Sequence, residues 1–276
     1  HHQIKGLEAA VGAPCLAKGA GGRLELTGAG TEMLRAAERV QGILSQAERQ
    51  LAARRRGRLG HVTIAAGTTA MYFVPEMVRR LREELPEVEI DLRFGNRAQV
   101  IDDVDRGRCA LAIMGRPPRR PEVEAAPLGR HPHGIIVPPG HPLAAGRGFD
   151  PEALIEEPIL ARERGSGTRL LLERYLERLE LARQVTMIEL DSNEAIKQGV
   201  IARLGIAFLS LHTVAREVAD GHLVVARGPL LPVMRQWYLV RPRAFAPDPA
   251  ALAVAEAIRG MNGAFLPRVP LDGPNA

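Results

Sequence analysis

Residues 162–169 read "RERGSGTR" and lead straight into the amphipathic stretch "LLLERYLERLEL", with Arg162 and Arg164 before the Gly-Ser-Gly-Thr turn and Arg169 just after it. A helix N-terminus already has positive character, so cations crowded there call for an anion among them. Ser166 and Thr168 sit in this turn, Thr68 and Thr69 follow the apolar run "TIAAG", and Ser192 and Asn193 follow "IELD". Each is a hydroxyl or amide at a strand-to-helix turn whose backbone N–H groups can face a ligand, and each also suits a plain N-cap. Cations gather at the same mouths: Arg97, Arg116, Arg162, Arg169 and Lys197. The chemistry indicated is recognition of a phosphorylated or carboxylated small molecule.

Signs of turnover are sparse. "RGSGTR" lacks the Gly-Lys-Ser/Thr ending of a phosphate-binding loop, no dinucleotide fingerprint follows a strand, and nucleophile elbows and metalloprotease helices are missing. No cofactor is therefore expected. Glu163 and Glu194 are the two carboxylates that an acid–base mechanism would use, but nothing in the sequence moves either toward neutrality, and orienting nearby cations is their simpler role. "HPHG" at His131–Gly134, with His141 beyond it, lacks the nearby carboxylate pair that would favour a metal. Cys15 and Cys109 lie far apart in unlike contexts, which gives no support to a disulfide framework or a zinc site.

Positioning such turns requires a particular set of elements. From "HVTIAA" onward, short apolar runs alternate with amphipathic stretches through "FVPEMVRRLREEL", "VEIDLRF", "AQVIDDV" and "ALAIMG", and again from "EPILA" to "DPAALAVAEAIRG". This is the rhythm of a doubly wound α/β sheet, and there are too many strands for one small sheet. Two lobes are expected, with "GIIVPPGHP" and "PVMRQWYLVRP" as the crossings and a cleft at the strand ends. No apolar run reaches the roughly 18 residues of a membrane span, and no secretory signal pattern is present, so a cytoplasmic location is expected.

The first 58 residues differ from the rest. They hold ten of the 37 Lys and Arg against five of the 32 Asp and Glu, and the remainder balances exactly in sign. A basic end on a neutral body suits a polyanion contact. Met33, Ala37, Val40, Leu44, Ala47 and Leu51 recur at alternating steps of four and three, a heptad seam for pairing with a second copy, or else for packing on the chain's own body. Thr27 is a plausible N-cap, and Gly57 and Gly60 mark the end, giving about 28 residues or roughly 42 Å. Ahead of that helix, "HHQIKGLEAAVG" aligns Ile4, Leu7 and Val11 on one helical face, and "GGRLEL" reads as a short wing.

The order "QIKGLEAAVGAP", a wing, "LTGAG", a long helix and a two-lobed body resembles LysR-type transcriptional regulators over essentially the whole chain. Within them, "TTAMYFVPEM", "GNRAQVI", "LAIMGRPP", "RERGSGTR", "SNEAIKQGV", "GIAFLSLHTV" and "RQWYLV" are similar to the group regulating Calvin-cycle carbon-fixation operons. The resemblance implies an α/β fold: a partial winged helix-turn-helix over residues 1–28, a dimerising linker helix over 29–58, and a two-lobed effector domain of the periplasmic-binding-protein type 2 fold. Its lobes are expected at 59–139 with 232–262 and at 140–231, followed by a tail at 263–276. It implies that Gln3, Lys5 and Arg23 contact promoter DNA, and that Thr68, Thr69, Asn96, Arg97, Arg116, Arg162, Ser166, Thr168, Asn193 and Lys197 line the effector cleft. The implied partners are DNA, an effector such as a phosphorylated sugar, phosphoglycerate or nicotinamide nucleotide, further copies of the chain as a dimer or tetramer, and RNA polymerase. Cys15-Leu16-Ala17-Lys18 replaces the family's usual Leu-Phe-Glu-Arg before the wing, Ala110 an aspartate, and Arg164 a frequent proline. A solute-binding protein or an enzyme acting on a phosphorylated substrate would share the same body and cleft.

Overall fold

Strands covered on both faces read as near-continuous apolar runs, and strand β3 (Gly60–Gly67), buried from Gly60 to Ala66 with only His61 and Thr63 polar, is the clearest case. The computed structural model describes residues 2–145, 148–245 and 248–269. β3 lies between β4 (Val88–Gly95) and β5 (Leu111–Met114), all parallel. Helix α3 (Val74–Glu84) turns Val74, Met77, Val78 and Leu81 onto this sheet, while Arg79 and Arg80 pair with Glu76 on the exposed side. Helix α8 (Pro249–Gly260), capped by Asp248, covers the same face, and α4 (Arg97–Asp105) covers the other. The second lobe repeats the plan: β7 (Ile159–Arg162) lies between β8 (Met187–Leu190) and β9 (Ile206–Ser210), with α5 (Gly167–Arg178) and α6 (Asn193–Ile201) on opposite faces.

Two long antiparallel strands, β6 (Val123–Val137) and β11 (Val233–Pro242), run through both lobes and join them into one path, β4-β3-β5-β11-β6-β9-β7-β8, with the short β10 (Val224–Val225) on β6. The crossing falls earlier in β6 than "GIIVPPGHP". Leu128 belongs to the first lobe's core, whereas Ile135 and Val137, assigned from sequence to the first lobe, are in the second lobe's core. Strand periodicity is the same on either side of a crossing, so it could not mark the point. In the tail, Phe265 stacks on Phe73 in the first core, and residues 270–276 lie outside the described residues.

At the other end, helix α1 (His2–Val11) is tied to the wing by Glu8, whose carboxylate accepts from the backbone N–H of Cys15 at 2.8 Å. The wing is β1 (Leu16–Lys18) paired antiparallel with β2 (Leu24–Leu26). Helix α2 (Gly28–Arg55) spans 28 residues, with Thr27 accepting from Gly30 N–H as its cap. Its packing face is opposite to the heptad seam. Gln46 reaches the Gly107 carbonyl, Gln50 pairs with both backbone groups of His61, and Gly42 lies so close to the first lobe that a Cβ would sit 2.0 Å from the Arg106 carbonyl oxygen. Val40, Leu44 and Leu51 are more than half exposed. The alternative that the seam packs on the chain's own body is thereby overturned.

Candidate functional site

The cleft is assembled from strand-to-helix turns of both lobes. From the first come Thr68 and Thr69, in a 3-10 turn after β3, then Asn96 and Arg97 at the start of α4, and Arg116 after β5. From the second come Ser166, Gly167 and Thr168 at the start of α5. The space among them is about 780 Å³, counting the part open to solvent, a size typical of small-molecule sites. Capping explains part of this turn chemistry: Asn96 makes a reciprocal capping box with Gln99, and Ser166 and Ser192 accept from the first turns of α5 and α6. Thr68 and Thr69 are not caps, because Gly67 holds that position. Gly165, at φ +93°, makes the sharp approach to Ser166, and its carbonyl accepts from Ala98 N–H of the opposite lobe at 3.3 Å.

Three of the ten expected cleft residues lie behind the lining. Arg162, 3% exposed, chelates Glu163 and donates to Thr68 Oγ1 at 3.2 Å and Asn193 Oδ1 at 2.7 Å. Lys197 is equally buried, with Nζ 2.6 Å from Glu217, 2.8 Å from Glu194 and 4.8 Å from the centre of the Tyr72 ring. Their charges are satisfied within the protein. They brace the cleft rather than face it: the adjacent Glu163 holds Arg162, and Glu194 and Glu217 hold Lys197.

Among the lining residues without a place in the expected site are Arg174, Arg235, His131 and Trp237. Arg174 is one helical face on from Gly167, Leu170 and Leu171, and Arg235 and Trp237 alternate along β11, so period alone would have joined them once the cleft position was known. No acidic side chain lines the cleft among the described residues. Arg97 is half-buried, and burial together with Arg116, Arg174 and Arg235 pulls its pKa below the ordinary guanidinium value. Unpaired like charges in a partly desolvated cleft favour a bound anion.

The floor is aromatic and neutral. His131 stacks on Trp237 at 3.8 Å between ring centres and bonds Ser210 through Nε2 at 2.9 Å; Trp237 Nε1 donates to His212 Nδ1 at 3.1 Å. Burial holds His131 far below the usual imidazole range, His133 down to about 3 and His212 down to about 4. The histidines of "HPHG" thus serve the hinge floor, while His141 caps a 3-10 turn and pairs with Glu157 at 2.6 Å. Burial alone would raise Glu194, but the Lys197 and Tyr72 hydrogen bonds hold it below the ordinary carboxylate value. Glu163 is held by Arg162 and by Asn96 Nδ2 at 3.2 Å. Both carboxylates serve as structural ion-pair partners.

A two-lobed sheet with an arginine-lined cleft, joined through a long helix to a small winged element, defines a ligand-responsive regulator with the periplasmic-binding-protein type 2 fold. Residues 55–262 match the family model for the LysR substrate binding domain, and the chain belongs to the LysR-type transcriptional regulators. It is 48% identical over 98% of its length, and 87% of the relative's, to the HTH-type transcriptional regulator CbbR of Cereibacter sphaeroides. It is 32% identical, over 96% of its length and 87% of the relative's, to the RuBisCO operon transcriptional regulator of Acidithiobacillus ferrooxidans. The regulatory domain of Synechocystis PCC6803 CcmR in complex with 2-PG superposes with a TM-score of 0.69 at 28% identity, over 73% of this chain and 97% of that one. Full-length CbnR in complex with its target DNA shares the fold, with a TM-score of 0.65 at 17% identity over 95% and 88%. No helix among the described residues is long and apolar enough to cross a membrane.

Proposed function

We propose that this chain is a DNA-binding regulator of carbon-fixation genes that senses an anionic, phosphorylated metabolite in the cleft between its lobes. The observation that carries this reading is the set of four arginines, Arg97, Arg116, Arg174 and Arg235, lining one cleft with the start of α5 and with no acid among the lining residues. Relatives named as regulators of the RuBisCO operon supply the gene class, and the 2-PG complex of CcmR supports a small phosphorylated anion. Thr68, Thr69, Asn96, Ser166 and Thr168 offer hydroxyl and amide groups around it, while Arg162, Asn193 and Lys197 hold the turns in place.

Gln3 and Lys5 on α1 and Arg23 in the wing are exposed, and we assign them to promoter DNA: Gln3 and Lys5 to the major groove and Arg23 to the backbone. The seam Met33, Ala37, Val40, Leu44, Ala47 and Leu51 pairs two copies and so sets the distance between the two DNA-contacting ends. Closing the cleft shifts the lobes, and α2, fastened to the first lobe at Gly42, Gln46 and Gln50, carries the shift to the DNA half-sites. No chemical step is assigned.

The test is a footprint of the full-length protein on DNA upstream of carbon-fixation genes, with phosphorylated sugars, phosphoglycerate and nicotinamide nucleotides added in turn. The expected result is a change in the protected length with one class of anion, abolished by Arg174→Ala. A footprint unchanged by every candidate would overturn the reading.

A further inference from the structure

Helix α2 meets the first lobe at Gly42, Gln46 and Gln50. Beside those contacts, between the helix and strands β3 and β4, lies a groove of about 1070 Å³, counting the part open to solvent. It shares no lining residue with the cleft. Four arginines line it: Arg49 from α2, Arg93 from β4, and Arg106 and Arg108 from the segment after α4.

Three of these cations already have acids. Arg106 is held by Glu38 and Asp102, Arg108 by Asp102 and Asp103, and Arg93 by Asp103. On α2 itself Arg39 pairs with Asp105 and Arg56 with Glu89. Arg49 pairs with no carboxylate among the described residues, although it is half-buried and its Nε is buried without a hydrogen-bond partner. The acids that line the groove are committed elsewhere: Asp91 pairs with His61 Nε2 at 2.8 Å, and Glu38 holds Arg106 about three turns back along α2, roughly 16 Å from Arg49 at 1.5 Å per residue. A guanidinium partly withdrawn from water without a counter-ion is destabilising until an anion joins it. Two hydroxyls share the groove with it: Ser45, one turn back on the same face of α2, and Thr63 of β3, which is 5% exposed. Neither side chain is hydrogen-bonded among the described residues.

We propose that this groove is a second anion site, separate from the cleft, in which Arg49, Ser45 and Thr63 bind a phosphate group, free or as a phosphomonoester. The guanidinium offers a fork of N–H donors and each hydroxyl a single donor, a set that suits a tetrahedral oxyanion. Arg49 and Ser45 belong to α2 and Thr63 to β3, so the bound anion fastens the long helix to the first lobe. Thr63 lies near the start of β3 and Thr68 follows its end. One strand thus joins the groove to the cleft, and an anion in the groove stiffens the joint through which cleft closure moves α2.

Hydrogen exchange read by mass spectrometry on the full-length chain tests it, with inorganic phosphate or glycerol 3-phosphate compared against sodium chloride of equal ionic strength. Arg174→Ala is the background, because Arg174 lines the cleft and not the groove. In that background at least one of the two anions is expected to slow exchange about threefold or more in peptides covering the middle of α2 and β3. Adding Arg49→Gln is expected to abolish the effect; if that variant melts early, Ser45→Ala/Thr63→Val carries the same test and is expected to weaken the protection at an unchanged melting temperature. Protection by phosphate alone marks an ion site, and protection by glycerol 3-phosphate alone marks a site for a phosphomonoester; either supports the proposal. No protection of α2 by either anion, or protection that survives these substitutions, would overturn it. The wild-type chain reports on the cleft separately: anion-dependent protection at the start of α5 is expected there, and its absence would count against the cleft reading without touching the groove.

Discussion

Arg162 shows how a buried cation organises neutral and acidic neighbours: one guanidinium fixes Glu163, Thr68 and Asn193, three groups from three separate turns. Arg162→Met is expected to cost about 3–5 kcal/mol of stability in urea denaturation, because Glu163 would lose its cation at a partly buried position. A loss below about 1 kcal/mol would show that Glu163 readily finds water instead. The floor histidines carry a pH signature of definite sign. Burial holds His131, His133 and His212 below the ordinary imidazole value of 6.5, with His133 near 3 and His212 near 4, so the unfolded chain binds more protons than the folded one at mildly acid pH. Their contribution is fully present above about pH 6.5 and is lost progressively as pH falls toward 4, by about 1.4 kcal/mol per pH unit for each histidine that protonates only on unfolding. Melting temperatures from pH 7.5 to 4.5 should fall, and His133→Gln should flatten that slope. An identical profile in the variant would remove His133 from the account.

At the scale of the element, α2 has two faces with different duties. Gly42 is required by contact, since a Cβ there meets the Arg106 carbonyl oxygen at 2.0 Å. Gly42→Ala should therefore lift the helix from the lobe and lower the melting temperature, even though alanine is the better helix former. An unchanged or higher melting temperature would mean that the backbone yields easily at this contact. On the other face Leu44 is 59% exposed, and the proposed pairing of two copies would bury it. Leu44→Glu is expected to halve the mass measured by sedimentation while leaving the lobes folded. A mass unaffected by the change would place the pairing elsewhere.

For the whole molecule, the lobes are already bridged at several points around the cleft. Ala98 N–H reaches the Gly165 carbonyl, Arg162 reaches Thr68, and Tyr72 donates to Glu194 at 2.5 Å. Neither Tyr72 nor Glu194 lines the cleft, so their contact acts on lobe closure and not on the ligand. Tyr72→Phe should weaken effector binding several-fold by reducing the closed population, with the anion preference unchanged. Titration of the variant with two anions of different length checks this; a change in their affinity ratio would mean that Tyr72 reaches the ligand directly.

Periodicity and capping are local properties, and they were legible without coordinates. The alternation of strands and helices, the 28-residue helix begun by Thr27, and the turns at Thr68, Asn96 and Ser166 all follow from residues close together in the chain. The destination of each charge was only partly local. Lys197 pairs with Glu194 nearby and with Glu217 twenty residues away, and Arg162 adds to its neighbour Glu163 bonds to Asn193 and Thr68, 31 and 94 residues away, that hold it behind the lining. Arg174 and Arg235 enter it because helix α5 and strand β11 converge where no acid arrives. The heptad pattern on α2 identified an apolar seam, but the fit of Gly42 against Arg106 decides which face the body takes and which it leaves exposed. A chain segment dictates its own hydrogen-bonding period, whereas the partner of a long charged side chain depends on which distant segments the folded sheet brings within reach.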